Sequence, residues 1–570
     1  MPISPYDGYT AGSNWIRANQ PVVVDNITAL RALDKTKIKY AITKGYYTPG
    51  DGGAGEYWYD SSDTTSTDNG GSVIVGSDSG RWKLRIGMFV NVKQWGTKGD
   101  SSYDDTASLN RVIAYINSTN RCLFFPFSSG NYLISSALTT IASTGGVLME
   151  SVGYDHTSNG GILVTGTGYT AVTIVGSPAR CDLLVAGTGN TANGVLFQNP
   201  AAARVGKVRV MQLDGFGVKI NKIWDSTIEH VMVELCGNAS EYAFSMNDDG
   251  DTCNTTHVLC LQVEQSNQKA IHISANTLSC VIDNIHSERQ TPAAGVTTWA
   301  LGGNRCLYNA LRLSSNEPSA NATAVFFGAQ TQFNVPLVEG SIVTRLEGVN
   351  GNSLTLVSPE LQGSTQNVAS QTGTINILGG AISSLACDPN GFKVRGTKIS
   401  TLAIGWAGSD PNIGRWEDCV IAALASTSTS SAATFTNCTI GTHNNLLQGV
   451  TVLRGCTVNN GGSATLTVGY RTLYSFGSTI NAPVNIDNGV IYGYDTVFSG
   501  NLSQSAGAIT SLFNEGCYCT GTVSGLGALT GGSNSKGMYT KNMAPAVGSP
   551  KGWLCTAAGT PGTWASMGNL

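Results

Sequence analysis

At 570 residues the chain is too long for one compact core, so it must hold several domains or one elongated domain. Only 12% of its residues are charged and 70 are glycine, which is too apolar for disorder and too poor in helix formers for a bundle. A net charge of −4, without a basic cluster, argues against a nucleic-acid partner.

The opening Met1-Pro-Ile-Ser-Pro-Tyr6 has neither a basic nor an apolar region of a secretory signal, and no run of eighteen apolar residues follows, so no membrane insertion is expected. Most of the fourteen cysteines sit inside apolar, strand-like runs, which fits free buried thiols better than disulfides.

In chain order, residues 1–88 read as a separate β-rich unit. Ile27 to Leu33 offers one or two helical turns, followed by strands at Tyr40 to Thr48, Gly55 to Tyr59 and Ser72 to Ile86 between Gly- and Asp-rich turns. The run from Thr43 to Asp60, with Asp68-Asn-Gly-Gly-Ser-Val-Ile-Val75 and Gly80-Arg-Trp82, resembles the N-terminal particle-attachment domain of bacteriophage tailspikes. Gly87 to Lys93 then reads as a neck.

Within residues 89–120, Gly96 and Gly99 flank a tight turn, and Asp104 and Asp105 offer carboxylates to the first free N–H groups of a helix. Leu109, Val112, Ile113 and Ile116 share one face of that helix. Cys122 to Pro126 and Asn131 to Ile134 read as the first strands beyond it. Trp95-Gly-Thr-Lys-Gly-Asp100, Asp104-Asp-Thr106, Phe125-Pro126 and Gly130-Asn-Tyr132 together resemble the entry motif of the pectate-lyase-like right-handed β-helices. The resemblance implies a helix capping a coil of parallel strands. It does not imply a chemistry, since that family includes lyases, hydrolases and binding proteins.

From residue 121 to about 520 the pattern repeats. A turn residue, a small residue, a variable one and a β-branched one recur at Gly396-Thr-Lys-Ile399, Asp418-Cys-Val-Ile421, Asn437-Cys-Thr-Ile440, Gly455-Cys-Thr-Val458 and Gly477-Ser-Thr-Ile480. Spacings near twenty residues suit one coil of a β-helix, whose coils share a core only when stacked. The small residues should then form an internal column. Earlier coils, at Thr227 to Leu235, His257 to Glu264, Cys280 to Glu288 and Asn309 to Ser314, are longer. Their extra residues must form outer loops, which places the working face in residues 200–345.

Three of these coils end alike, at Val231-Met-Val-Glu234, Leu261-Gln-Val-Glu264 and Ile285-His-Ser-Glu288. Alternation turns all three glutamates outward, and spacings of one coil stack them in a column. Coils lie about 4.8 Å apart. Such a column offers carboxylate pairs near 5 Å or near 10 Å, so either a retaining or an inverting glycosidase is open to it. Trp224 and Tyr242 could stack on sugar rings, His286, Arg289 and Arg312 could hold a charged saccharide, and Asp248 and Asp249 could add carboxylates to a cleft wall. No cofactor or metal motif is present.

Residues 521–570 are Gly- and Ser-rich. Gly548-Ser-Pro-Lys-Gly-Trp553 and Gly559-Thr-Pro-Gly-Thr-Trp564 resemble the terminal segment of phage tail proteins. This stretch looks too short to fold alone, so Trp553 and Trp564 are expected to clamp a homotrimer or contact a receptor.

The expected fold class is therefore all-β: a trimeric right-handed parallel β-helix with a small attachment domain, a capping helix and a short C-terminal segment. The tailspike resemblance implies a virion-tail protein, assembled in the host cytoplasm and joined to a tail, baseplate or head component through residues 1–88. It also implies binding, and usually cleavage, of capsule or O-antigen polysaccharide. The leading expectation is endo-glycoside hydrolysis by Glu264 with Glu234 or Glu288. A polysaccharide lyase using His286 with Arg289 or Arg312, and a glycan-binding adhesin without catalysis, remain the alternatives.

Overall fold

The first residues placed, Val22–Val24, begin a five-stranded sheet of order Val22–Val24, Tyr40–Thr43, Gly55–Tyr59, Arg81–Leu84, Val73–Val75. The computed structural model describes residues 21–151, 159–247, 252–266, 268–292, 296–315, 322–348, 353–367, 373–387, 391–404, 414–426, 432–443, 446–447, 450–459, 465–469, 472–487, 490–504, 512–513, 518–519, 523–524, 536, 539–541, 546–559 and 563–570. The stretch Ser72 to Ile86, read as one strand, is a hairpin closed where Gly76 N–H donates to Gly80 O at 2.8 Å. The helix Ile27–Arg31 is capped by Asn26, whose side chain accepts from Ala29 N–H. It packs Ile27 and Leu30 with Tyr57, Ile74 and Trp82 to form this module's core.

The segment read as a neck contains the first strand of the solenoid. Phe89–Asn91 pairs with Cys122–Phe125, which pairs in turn with Val147–Met149. Between them lies the helix Thr106–Thr119, with Leu109, Val112, Ile113 and Ile116 fully buried. The two aspartates divide the capping work. Asp104 accepts from Thr106 N–H at 3.0 Å, whereas Asp105 turns away and accepts from Lys98 N–H at 2.7 Å and Gly99 N–H at 2.9 Å. Asp105 therefore ties the turn, where Gly99 has a φ of 59°, to the helix start. Burial pushes its carboxyl up to about 6, against those two bonds.

The chain divides into two compact units, residues 1–270 and 271–570, each a parallel β-solenoid beyond the N-terminal module. In the first unit Cys181–Asn190, Arg204–Leu213, Thr227–Cys236 and His257–Glu264 stack in parallel register, with Leu183, Val208, Val231 and Leu261 inside and buried. One-coil stacking satisfies every strand from its neighbours above and below and lets aliphatic rows share one interior.

The second unit carries the expected column. Thr397, Cys419, Cys438, Cys456 and Ser478 are all buried, and Thr496 extends the series. Each follows a left-handed residue: Gly396, Asp418, Asn437, Gly455, Gly477 and Asp495, with φ between 47° and 66°. Only glycine and a few short polar residues take that conformation readily, hence the turn residue of the motif. The small residue has a second task. The single S–H of Cys419, Cys438 and Cys456 is shared between two acceptors: the carbonyl two residues back, at 3.2, 3.3 and 3.5 Å, and a carbonyl of the preceding coil, at 3.6, 3.4 and 3.3 Å. The corner needs a compact donor, and thiol and hydroxyl both serve. The twelve cysteines whose side chains are described are thiols rather than disulfides, and among them Cys260 alone is not buried.

The end of the chain departs from expectation. Tyr539–Lys541, Gly552–Ala557 and Thr563–Ser566 form a three-stranded antiparallel sheet in which Trp553 faces Ser566 and Trp564 faces Cys555. The antiparallel pairing gives these three strands an order that the segment's glycine content obscures.

Candidate active site

Met211, Glu234, Glu264 and Glu288 share one structural position. Each is the last outward residue before a left-handed corner, at Gln212, Leu235, Gln265 and Arg289, with φ of 59°, 52°, 51° and 57°. The corner turns the chain off the strand, so the side chain just before it stands at the wall's rim.

In the first unit Met211 pairs with Glu234 and Glu234 with Glu264, so the two glutamates are direct strand neighbours. Their environments differ. Glu264 is half-buried, and Gln262 Nε2 donates to its Oε1. Glu234, expected to face solvent, is only 8% exposed. Its Oε2 lies 3.5 Å from Nη2 of Arg209, itself 3% exposed. An outward carboxylate packed under its neighbours keeps its charge at tolerable cost only beside a counter-ion, and Arg209 supplies it. His230 stands two residues before Met232 on the same wall, and Lys207 is its strand partner. Burial first, then the positive charges of Lys207 and Arg209, hold the His230 imidazole below its usual pKa against a hydrogen bond with Gln262.

The remaining expected residues of this unit lie apart from the pair. Trp224, 37% exposed, bridges Ala201 and Asn254 at the corner before the strand Thr227–Cys236, whereas Glu234 is near that strand's end. Tyr242 follows the strand, with Lys269 Nζ 5.0 Å above its ring. Asp248 and Asp249 lie outside the described residues.

In the second unit Glu288 stands between His286 and Arg289. His286 Nε2 is 3.3 Å from its Oε2 and Arg289 Nε is 3.5 Å from its Oε1. Arg312 is the strand partner of His286 but spends its guanidinium on Glu339, 2.9 Å away, which raises the arginine's pKa further. Arg209, Gln262 and Glu339 are the members of these clusters that reading the sequence does not reveal. Their only signal is a distance of about one coil from an expected residue, which becomes legible once loop lengths are known.

Two family models match the chain. Residues 23–87 match the phage tail protein small four-stranded beta-sheet domain, and residues 89–279 match the rhamnogalacturonase A/epimerase, pectate lyase-like model. The chain is thus similar to a phage tail protein domain at its start and to a pectate lyase-like β-helix beyond it. Among solved structures, tailspike gp49 of Acinetobacter baumannii bacteriophage Fri1, a capsular polysaccharide depolymerase, is 16% identical, with a TM-score of 0.38 over 87% of this chain and 75% of that one. The enzymatically active domain of bacteriophage CBA120 tailspike protein 2 is 14% identical, with a TM-score of 0.35, and the match spans 72% of this chain and 57% of that domain. The tailspike of Acinetobacter phage vB_ApiP_P1 is 11% identical, with a TM-score of 0.26 over 96% and 90% of the two chains.

Proposed function

We propose that this chain is a phage tailspike that works as a trimer of right-handed β-helices, is carried on the virion by residues 1–88, and depolymerises capsule or O-antigen polysaccharide by endo-glycoside hydrolysis. The observation that carries the chemistry is the register of Glu234 with Glu264. Neighbouring parallel strands lie about 4.8 Å apart. Two outward carboxylates on them fall close to the roughly 5–5.5 Å separation used by retaining glycosidases.

Glu264, the more exposed, protonates the leaving glycosidic oxygen. Gln262 occupies one of its oxygens, so the other carries the proton. Glu234, beside Arg209, attacks the anomeric carbon to form a glycosyl-enzyme, and Glu264 then takes the proton of the water that releases it. Glu288, with Arg289 and His286 beside it to meet a charged saccharide, is the further candidate carboxylate.

A second reading has an observation of its own. His286 and Arg312 are strand partners, and Glu288 contacts the imidazole, the placement a lyase needs to remove a proton beside a uronate carboxylate.

The purified full chain, incubated with a panel of capsular and O-antigen polysaccharides, separates these readings. Hydrolysis shortens one glycan and creates reducing ends without ultraviolet absorbance from an unsaturated uronate, and Glu264→Gln slows it by roughly 10²–10⁴-fold. Shortening accompanied by that absorbance means a lyase. A glycan bound but left at full length means an adhesin.

A further inference from the structure

The strand Val281–Gln290 buries Ser287 and Gln290 completely, and Trp299 lies buried with them. Strict alternation from buried Ser287 would turn Arg289 inward and Gln290 outward. The reverse is found: Arg289 is exposed and Gln290 is wholly buried. The left-handed corner at Arg289, with a φ of 57°, gives the reason, as the same corner does for buried Cys236 after Glu234 and buried Ser266 after Glu264. What sets this corner apart is its register with the next strand: Ser287 pairs with Leu313 and Gln290 with Ser315, so three residue steps oppose two and the corner forms a bulge against that strand. Such a bulge re-aims the side chains it carries and is common beside active sites.

The buried polar groups bind the bulge from inside. Trp299 Nε1 donates to Ser287 Oγ at 2.8 Å, and Gln290 Nε2 donates to the same Oγ at 3.1 Å and to Glu288 O at 2.7 Å. Burying a serine, a glutamine and an indole N–H costs free energy unless each is hydrogen-bonded, and here they bond one another and the bulge's own carbonyl. On the outside, the corner brings His286, Glu288 and Arg289 together within 3.5 Å.

We infer that Trp299, Ser287 and Gln290 form an internal clamp that holds this bulge and thereby aims Glu288, with His286 and Arg289, at the saccharide. They are positioning residues, since none reaches the outer wall. The inference rests on the proposed role of the outer wall only for its functional half. Arg289 cannot turn into the apolar interior, so loss of the clamp loosens the segment rather than re-registering it.

Gln290→Met keeps the volume but removes both donors, and Trp299→Phe removes one donor and keeps the ring. Crystal structures of both variants should show the Glu288 carboxylate displaced from His286 while the neighbouring strands superpose. On the glycan that the wild type cuts, kcat should fall by roughly 10- to 100-fold, with KM changed by less than about 2-fold, as expected for a misaimed group. Trp299→Phe is the milder change and decides the matter if Gln290→Met does not fold. A Glu288 carboxylate left in place in the variants overturns the clamp. So does unchanged kcat in an enzyme that Glu288→Gln slows. Wild-type turnover in Glu288→Gln would instead remove Glu288 from the proposed site, and the crystallographic displacement alone would then decide the clamp.

Discussion

Substitutions at Cys438 should separate the corner's need for a donor from its need for a small side chain. Cys438 is 1% exposed, shares its one S–H between Thr436 O at 3.3 Å and Trp416 O at 3.4 Å, and has Cys419 and Cys456 as its neighbours in the column. Cys438→Ser keeps a donor of similar reach, so it should change stability by less than about 1 kcal/mol. Cys438→Ala leaves two corner carbonyls without their thiol and opens a small void, for a loss of about 1–2 kcal/mol. Cys438→Val loses the donor and also forces a second branch into a filled corner, for a loss of about 2–4 kcal/mol. Urea midpoints of the full chain, with amide exchange of residues 432–458 to localise the effect, would rank the three as Ser, Ala, Val. Valine as stable as serine would refute the donor argument and leave only the size of the side chain to explain the motif.

Other perturbations probe separate parts of the molecule. Arg209→Met should cost about 3–5 kcal/mol by stranding the buried Glu234 carboxylate, and Arg209→Met with Glu234→Met should recover most of it; a double-mutant cycle in urea reads the difference. Gly71→Ala should cost about 3 kcal/mol or prevent the N-terminal module from docking, because its Cβ would lie 2.0 Å from the ring of fully buried Trp95; limited proteolysis and thermal melting follow it. His443 is 5% exposed, its Nδ1 is without a hydrogen-bond partner among the described residues, and it lines an interior cavity with Leu424, Phe435, Ile440, Thr451, Leu453, Val458 and Leu466, none of them charged. Burial lowers its folded pKa below the unfolded 6.5, so its contribution is fully present above that pH and is lost as pH falls below it. Amide exchange in residues 432–458 should therefore accelerate between about pH 6.5 and 5 in the wild type but not in His443→Leu.

Much of this architecture is legible because a solenoid corner repeats its demands. A left-handed residue followed by a compact donor produces the Asp418-Cys419, Asn437-Cys438 and Gly455-Cys456 pattern wherever a coil turns. The same logic marks Glu234, Glu264 and Glu288, since each strand alternates up to its corner. What lies across coils is harder to read. Arg209 meets Glu234 only because the register between their strands is fixed, and intervening loops of unequal length hide that register. The burial of Gln290 leaves no compositional mark, because a glutamine looks like a surface residue in a strand until the corner at Arg289 turns it inward. The strand Phe89–Asn91 was hidden for a similar reason: three residues carry too little periodicity to tell a first coil from a neck.

The most direct test of the account is a structure of the Glu264→Gln variant soaked with an oligosaccharide of the repeat unit that the wild type cuts. The account predicts a glycosidic oxygen within hydrogen-bond reach of residue 264 and the adjoining anomeric carbon facing Glu234 from the other side. A sugar chain seated on another wall, with all three glutamates out of reach of its linkage, would contradict it.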